Sequence, residues 1–472
     1  MNGVTLANNN ELTALNVIGE TAGLAVTADN AIINATINTV NTTLNDNGLN
    51  LIARNGGTLT VTVANSSFNQ VNENGIRANI RDAGSNIALT VNNSASNNNV
   101  MDGILFDAYT GGSFTGIVSN TNLSNNGRNA IRAVLAGGSV GSLVMTDVVG
   151  NGSGEHGMFI SATDSTLTPS TFLCTTLNNS GQDGTDGLAD AFNFDITNSQ
   201  ASVTIVDSVG TNIGGGLTQE NGLRFRVDMA GSLTTTVIGS NFSDNRISAF
   251  NATVRDMGTT AILNINNTLG DRSRMDGFFF DIAAGTFTAN VNNASFNQSG
   301  RNAIRAIGGG TPAVVNVAIN STTSNNSVAE GVFFDIDGLG GPSTLNFDYG
   351  NTAPNSPRYS TGATGLGSNV SKWFGPPSCH SRISDRLFFA DLRSASALSC
   401  MMFGKLKMPS PCIVFRKNAR RLKSRPSKGS FPRTIARPFL PILVRPNCTD
   451  SLPESKLFNL VHYVAEKEGR ER

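Results

Sequence analysis

The sequence predicts an all-β fold: a single-stranded parallel β-helix of about eleven to twelve coils over residues 1–350, followed by a poorly structured basic tail at 351–472. Three observations lead there. A short motif headed by Gly or Ala recurs every 26 to 28 residues, at Gly48, Gly75, Gly103, Ala130 and Gly157 and again at Gly222, Ala249, Gly277, Ala303 and Gly331. After each head, apolar and polar residues alternate with the period of two that marks a strand. Finally, 50 Gly, abundant Asn and only 14% charged residues suit short strands joined by tight turns, because Gly and Asn tolerate the left-handed backbone that turns require.

The first strand of each coil follows the head residue, as in Gly75-Ile76-Arg77-Ala78 and Gly277-Phe278-Phe279-Phe280-Asp281. A second strand follows a Gly-containing turn, as in Leu59-Thr60-Val61-Thr62-Val63 and Phe287-Thr288-Ala289-Asn290-Val291. A third, short segment carries one large apolar residue seven positions before the next head: Phe68, Leu123, Phe242 and Phe296. One such coil cannot bury its apolar side alone. Coils stacked about 4.8 Å apart share a core and hydrogen-bond along their whole path, so eleven heads imply a stack on the order of 50 Å long. The alternation then points Ile76, Ile104, Ile131, Phe278, Ile304 and Val332 inward as one column. Ten residues before successive heads stand Asn65, Asn93, Asn120, Asp147, Asn267 and Asn293. They are expected to form an Asn ladder at one corner, each amide bonding to the next coil.

With these features the chain resembles the parallel β-helix repeat proteins of the pectate-lyase-like superfamily, in their bacterial extracellular form, over about residues 15 to 350. The resemblance implies a right-handed helix and a secreted or cell-surface location. It also implies a choice between glycan-binding scaffolds and enzymes acting on acidic polysaccharides. Met1 to Glu20 has no basic start and no unbroken apolar core of the kind that marks a signal peptide, and no apolar run reaches the roughly 18 residues a membrane span needs. A larger repeat overlies the coil: Gly75, Asp102 and Gly157 recur 174 positions on as Ala249, Asp276 and Gly331, dividing the helix into six-coil blocks at 1–174 and 175–350. Growth by copying favours a structural or binding role over a single active site.

The outward position two residues past each head reads Arg77, Leu105, Arg132, Phe159, Asn193, Arg224, Asn251, Phe279, Arg305, Phe333. Four past the head stand Asp107, Asp195, Asp281 and Asp335. A purely structural origin is a ladder of ion pairs and Arg-aromatic stacks keeping coils in register, at about 0–1 kcal/mol per contact. The functional reading is a binding face of Arg77, Asp107, Arg132, Phe159, Phe279, Asp281, Arg305, Phe333 and Asp335 for a polysaccharide or a cell-surface protein. Aromatic faces suit sugar rings, and guanidinium groups suit carboxylates.

The enzymatic relatives suggest a catalytic alternative, a lyase or glycoside hydrolase using Asp281, Arg305 and Asp335. Two coils separate the carboxyls, roughly 9.6 Å, at the outer edge of an inverting geometry. The hydrolases' Gly-His-Gly motif is not matched by Gly154-Glu155-His156-Gly157, which holds the repeat region's single His. The steps from Gly157 to Ala191 and from Ala191 to Gly222 are long, at 34 and 31 residues. The first insertion is Gly-rich and acidic, which makes Asp183, Asp186 and Asp190 candidate calcium ligands, with a plain turn as the alternative. No other cofactor is implied.

The net charge of zero conceals a division. Up to Ser356 there are 13 Lys+Arg against 27 Asp+Glu; beyond it there are 21 against 7. The basic part is rich in Pro and Ser, holds Cys379, Cys400, Cys412 and Cys448, and lacks the coil period. It is expected to be a disordered arm or the product of a shifted reading frame. Nucleic acid is a conceivable partner for this arm and not for the acidic helix. The abrupt ends suggest a segment of a larger protein.

Overall fold

The computed structural model describes residues 2–6, 10–18, 22–182, 189–212, 219–308, 313–324, 326–329, 331–336, 344–349, 359–361 and 369–373. Asp183, Asp186 and nearly all of the basic segment lie outside these residues. Within them the chain is a parallel β-solenoid without helices, and no helix is long and apolar enough to cross a membrane. Two sheets of 14 strands run the length of the stack, every neighbouring pair parallel and one coil apart. A third column begins as three short strands ending at Ser67–Phe68 and continues as single bridges from Ser67–Ala95 to Ser295–Thr323.

The alternation sets the register. Ile76 pairs with Ile104 and Ile104 with Ile131, while Phe278 pairs with Ile304 and Ile304 with Val332. All six are buried to within 1% exposure. Phe68, Leu123, Phe242 and Phe296 fill the interior from the third column without exposure. The second half is the more aromatic, with Phe250 edge-on to Phe242, Phe278 and Phe296 at centroid distances of 5.2–6.0 Å. Strands also lie outside the run of heads. Ala22–Asp29 pairs with Asn47–Arg54 ahead of it, and Tyr359–Thr361 and Asn369–Trp373 extend the two sheets past residue 350, beyond the change in composition.

The polar ladder differs from the expectation. Asn65, Asn93, Asn120, Asp147, Asn267 and Asn293 occupy a turn corner with φ between 47° and 54°, the left-handed conformation that Asn and Asp adopt at least cost. All but Asp147 are exposed. Their amides bond to the preceding coil in places, as Asn293 to Asn267 at 2.6 Å and Asn65 to Asn38 at 3.0 Å. A longer, buried ladder lies at the residue just before each head: Asn47, Asn74, Asp102, Asn129, His156, Asp190 and Asn221, all under 10% exposed. Asn74 Oδ1 accepts the Asp102 amide, Asp102 Oδ1 the Asn129 amide, and Asn129 Oδ1 the His156 amide, at 3.1–3.2 Å. The corner where the chain enters the first sheet would otherwise bury unpaired N–H groups.

The choice of Gly or Ala as head has a packing cause. A Cβ at Gly277 would lie 2.6 Å from the Ala303 carbonyl oxygen and 2.8 Å from Phe296 Cβ, and one at Gly222 only 2.5 Å from Phe242 Cβ. These glycines are fixed by close approach of the next coil.

Candidate functional site

The outer face of the first sheet collects charge. Arg54, Arg77, Arg81, Arg132, Arg224, Arg226, Arg255 and Arg305 leave from it, eight of the 13 arginines before Ser356. The same strands carry Asp29, Asp107, Asp195, Asp228, Asp281 and Asp335, so the face is one of mixed charge in an otherwise acidic solenoid. The strand register aligns Phe279, Arg305 and Phe333 on successive coils, and Arg132 with Phe159. The Arg305 guanidinium lies over both neighbouring rings, 5.4 Å from Phe279 and 5.9 Å from Phe333, and that of Arg132 lies 5.8 Å from Phe159. Each side chain is half-buried against its neighbours, so the stripe is shallow and pre-packed.

The aspartates are less uniform. Arg77 meets Asp107 at 3.9 Å, a long and partly exposed ion pair. Asp281 and Asp335 occupy one column with Ile307 between them. Burial pushes the Asp281 carboxyl up, while Arg255 and Arg305 draw it down. Arg305 itself is engaged by the two rings, so the trio Asp281, Arg305 and Asp335 shares a face with Arg305 held as part of an aromatic stack.

A second group, which the sequence pattern did not single out, sits where the two long steps fall. Asp190 belongs to the strand Asp190–Thr197 and is fully buried. Its Oδ1 accepts from Asn221 Nδ2 at 2.7 Å, whereas Oδ2 has no hydrogen-bond partner. Arg224 Nη1 and His156 Nδ1 each stand 3.7 Å from that oxygen, near enough for charge and too far for a hydrogen bond. The Asp190 amide donates to His156 Nδ1 at 3.1 Å, which places the proton of the neutral imidazole on Nε2. That nitrogen is 3.4 Å from Asn193 Nδ2 while Asn193 Oδ1 has no partner. Turning the amide over gives the ring N–H its acceptor. The imidazole stacks on Phe159 at 5.4 Å.

Burial pushes the Asp190 carboxyl up to about 6, against the opposing pull of Arg224 and Asn221. Asp195 is raised for the same reason, with Arg224 and Arg226 opposing. The one described member of the candidate calcium set, Asp190, is thus turned toward the ladder and Arg224. Among the described residues no group of three or more His, Cys, Asp or Glu side chains is arranged to hold a metal ion. The signal that could have found this group is the polar residue before each head, a column that includes the repeat region's single His.

The sequence matches no described protein family and no curated protein. Among solved structures, a match is the catalytic domain of a GH87 alpha-1,3-glucanase, a D1069A variant in complex with tetrasaccharides, at 13% identity and a TM-score of 0.26. The match covers 74% of this chain and spans 64% of the glucanase chain. What establishes the solenoid is the strand pairing itself.

Proposed function

We propose that the chain is a non-catalytic β-helical scaffold of the pectate-lyase-like kind, part of a secreted or cell-surface protein, whose first-sheet face contacts a polysaccharide chain. The observation that carries this reading is the stripe of arginines and phenyl rings stacked coil on coil, the Phe279–Arg305–Phe333 sandwich above all. Coils repeat about every 4.8 Å, close to the length of one sugar ring in an extended chain, so a polymer lying along the solenoid axis meets a new side-chain row per sugar. Rings offer flat apolar faces, and the arginines favour a polymer bearing carboxylates.

The test is titration of the full chain with oligogalacturonates and with neutral glucan oligomers. Acidic oligomers are expected to bind, with Phe279→Ala and Arg305→Gln each weakening binding about three- to tenfold. Absence of binding to every oligomer discards the reading.

The raised carboxyl of Asp281, in one column with Asp335, favours a second reading, hydrolysis or lyase cleavage of an acidic glycan with Asp281, Arg305 and Asp335 at the bond. Release of reducing ends or unsaturated products from polyuronates, abolished by Asp281→Asn, would establish it in place of the scaffold.

A further inference from the structure

We infer that the strands bearing Phe159, Asn193 and Arg224 carry a separate subsite, in which Arg224, framed by Phe159 and His156 and backed by Asn193 and Asp190, takes the carboxylate of one acidic sugar, and takes it more tightly in acid. The ligand class rests on the proposed polysaccharide reading; the site rests on its own geometry. Phe159, Asn193 and Arg224 stand in register on three successive coils, with the ring and the guanidinium partly exposed and the Asn193 amide buried between them. Arg224 keeps 20% of its side chain exposed and is the charged group of this row open to a ligand. Beneath it, Asp190 Oδ2 is buried without a hydrogen-bond partner, and Asp195 Oδ1 is likewise unpartnered. Arg224 is thus countered by charge at a distance and held by no close bond from Asp190.

The charges around this point come from five successive coils. From the preceding side come Arg132, His156 and the Glu155–Arg128 pair. On the same coil stands Asp195, and from the following side come Arg224, the Arg226–Asp228 pair at 2.5 Å and the Glu220–Arg246 pair. With the close pairs set aside, and with Arg132 two coils away and stacked on Phe159, Arg224 faces Asp190 and Asp195. That balance is negative when both carboxyls are ionised and reaches neutrality once either takes a proton, which leaves Arg224 less countered. Burial brings Asp190 to that point at about pH 6, and Asp195 shifts in the same direction. Carboxylates of ordinary acidity remain charged at pH 5, so an acidic sugar meets a less fully countered Arg224 there.

The experiment is titration of the full chain with tetragalacturonate at pH 5.0 and pH 7.5, with maltotetraose as the uncharged control. The acidic tetramer is expected to bind about five- to tenfold tighter at pH 5.0, with no such gain for the control. Asp190→Asn is expected to give at pH 7.5 the affinity that the unaltered chain shows at pH 5.0, and Arg224→Gln to abolish the acid gain. Should the buried substitution prevent folding, Arg224→Gln, at a partly exposed position, still decides. Binding that is independent of pH, or an acid gain that survives in Arg224→Gln, overturns the subsite and leaves the stripe reading standing. No binding of the acidic tetramer at either pH overturns both.

Discussion

Asp190 is fully buried with one carboxylate oxygen unpaired, and such a group takes up a proton in the folded chain at a pH where the unfolded chain has lost it. Its folded value of about 6 lies above the ordinary 3.8, so the native state binds more protons between those values and stability falls as pH rises through them. The loss is about 2–3 kcal/mol at neutral pH. Asp102, Asp195 and Asp281 are raised by burial too and act in the same sense. Thermal unfolding should therefore show a higher melting temperature at pH 5 than at pH 7, and Asp190→Asn should raise the neutral value and flatten the profile. A melting temperature level across that range would contradict the burial argument. Phe280, without exposure and tilted against Phe278 at 5.1 Å, gives the complementary test. Phe280→Asp puts an unpaired charge in the core and should cost several kcal/mol by denaturant titration.

At the scale of the strand and its entry corner, two devices hold one coil to the next. Asn129 accepts the His156 amide at 3.2 Å and donates to Asp102 Oδ1 at 2.8 Å, so Asn129→Ala strips partners from both neighbouring coils and should cost about 2 kcal/mol. Asn129→Asp keeps the acceptor but sets a second carboxyl against the raised Asp102. Its deficit should be larger at pH 7 than at pH 5, a difference that simple loss of packing would not produce. The close approach at Gly277 gives the steric counterpart: Gly277→Ala drives a Cβ toward the Ala303 backbone oxygen and should destabilise by about 1–3 kcal/mol, although Ala serves as head in neighbouring coils. A neutral result there would mean that the coils can separate locally at small cost.

For the described solenoid as a whole, each coil touches only its neighbours, which makes stability a sum of coil and interface contributions. Amide exchange should be slowest in the central strands and faster toward the ends. Phe280→Asp should speed exchange first in the adjoining strands Ser248–Val254 and Ile304–Gly308 and leave Asn47–Arg54 protected. Uniform acceleration across all coils would instead mark the stack as one cooperative unit.

Coil length, the inward faces and the order of three segments per coil were legible in the sequence because each is a local property. Period-two alternation fixes which side chains face the core, and a repeat near 27 residues fixes how far the chain travels before pairing with itself. The Arg-aromatic stripe was legible for the same reason, since residues at equal offsets from Gly277, Ala303 and Gly331 must align. The buried ladder was not, because its only requirement is a side-chain acceptor, which Asn, Asp and His meet alike, so the column mixes residue types, while the exposed corner repeats Asn to satisfy a left-handed turn. The strands of Tyr359–Thr361 and Asn369–Trp373 escaped notice because they carry neither a Gly or Ala head nor the Asn-rich turns of the other coils. The Asp190 group depended on stacking most of all. Read along the chain, Asp190 closes an acidic, Gly-rich insertion; only the coil above and the coil below bring it His156 and Arg224, each 34 residues away, and remove the water that would have kept its carboxyl ordinary.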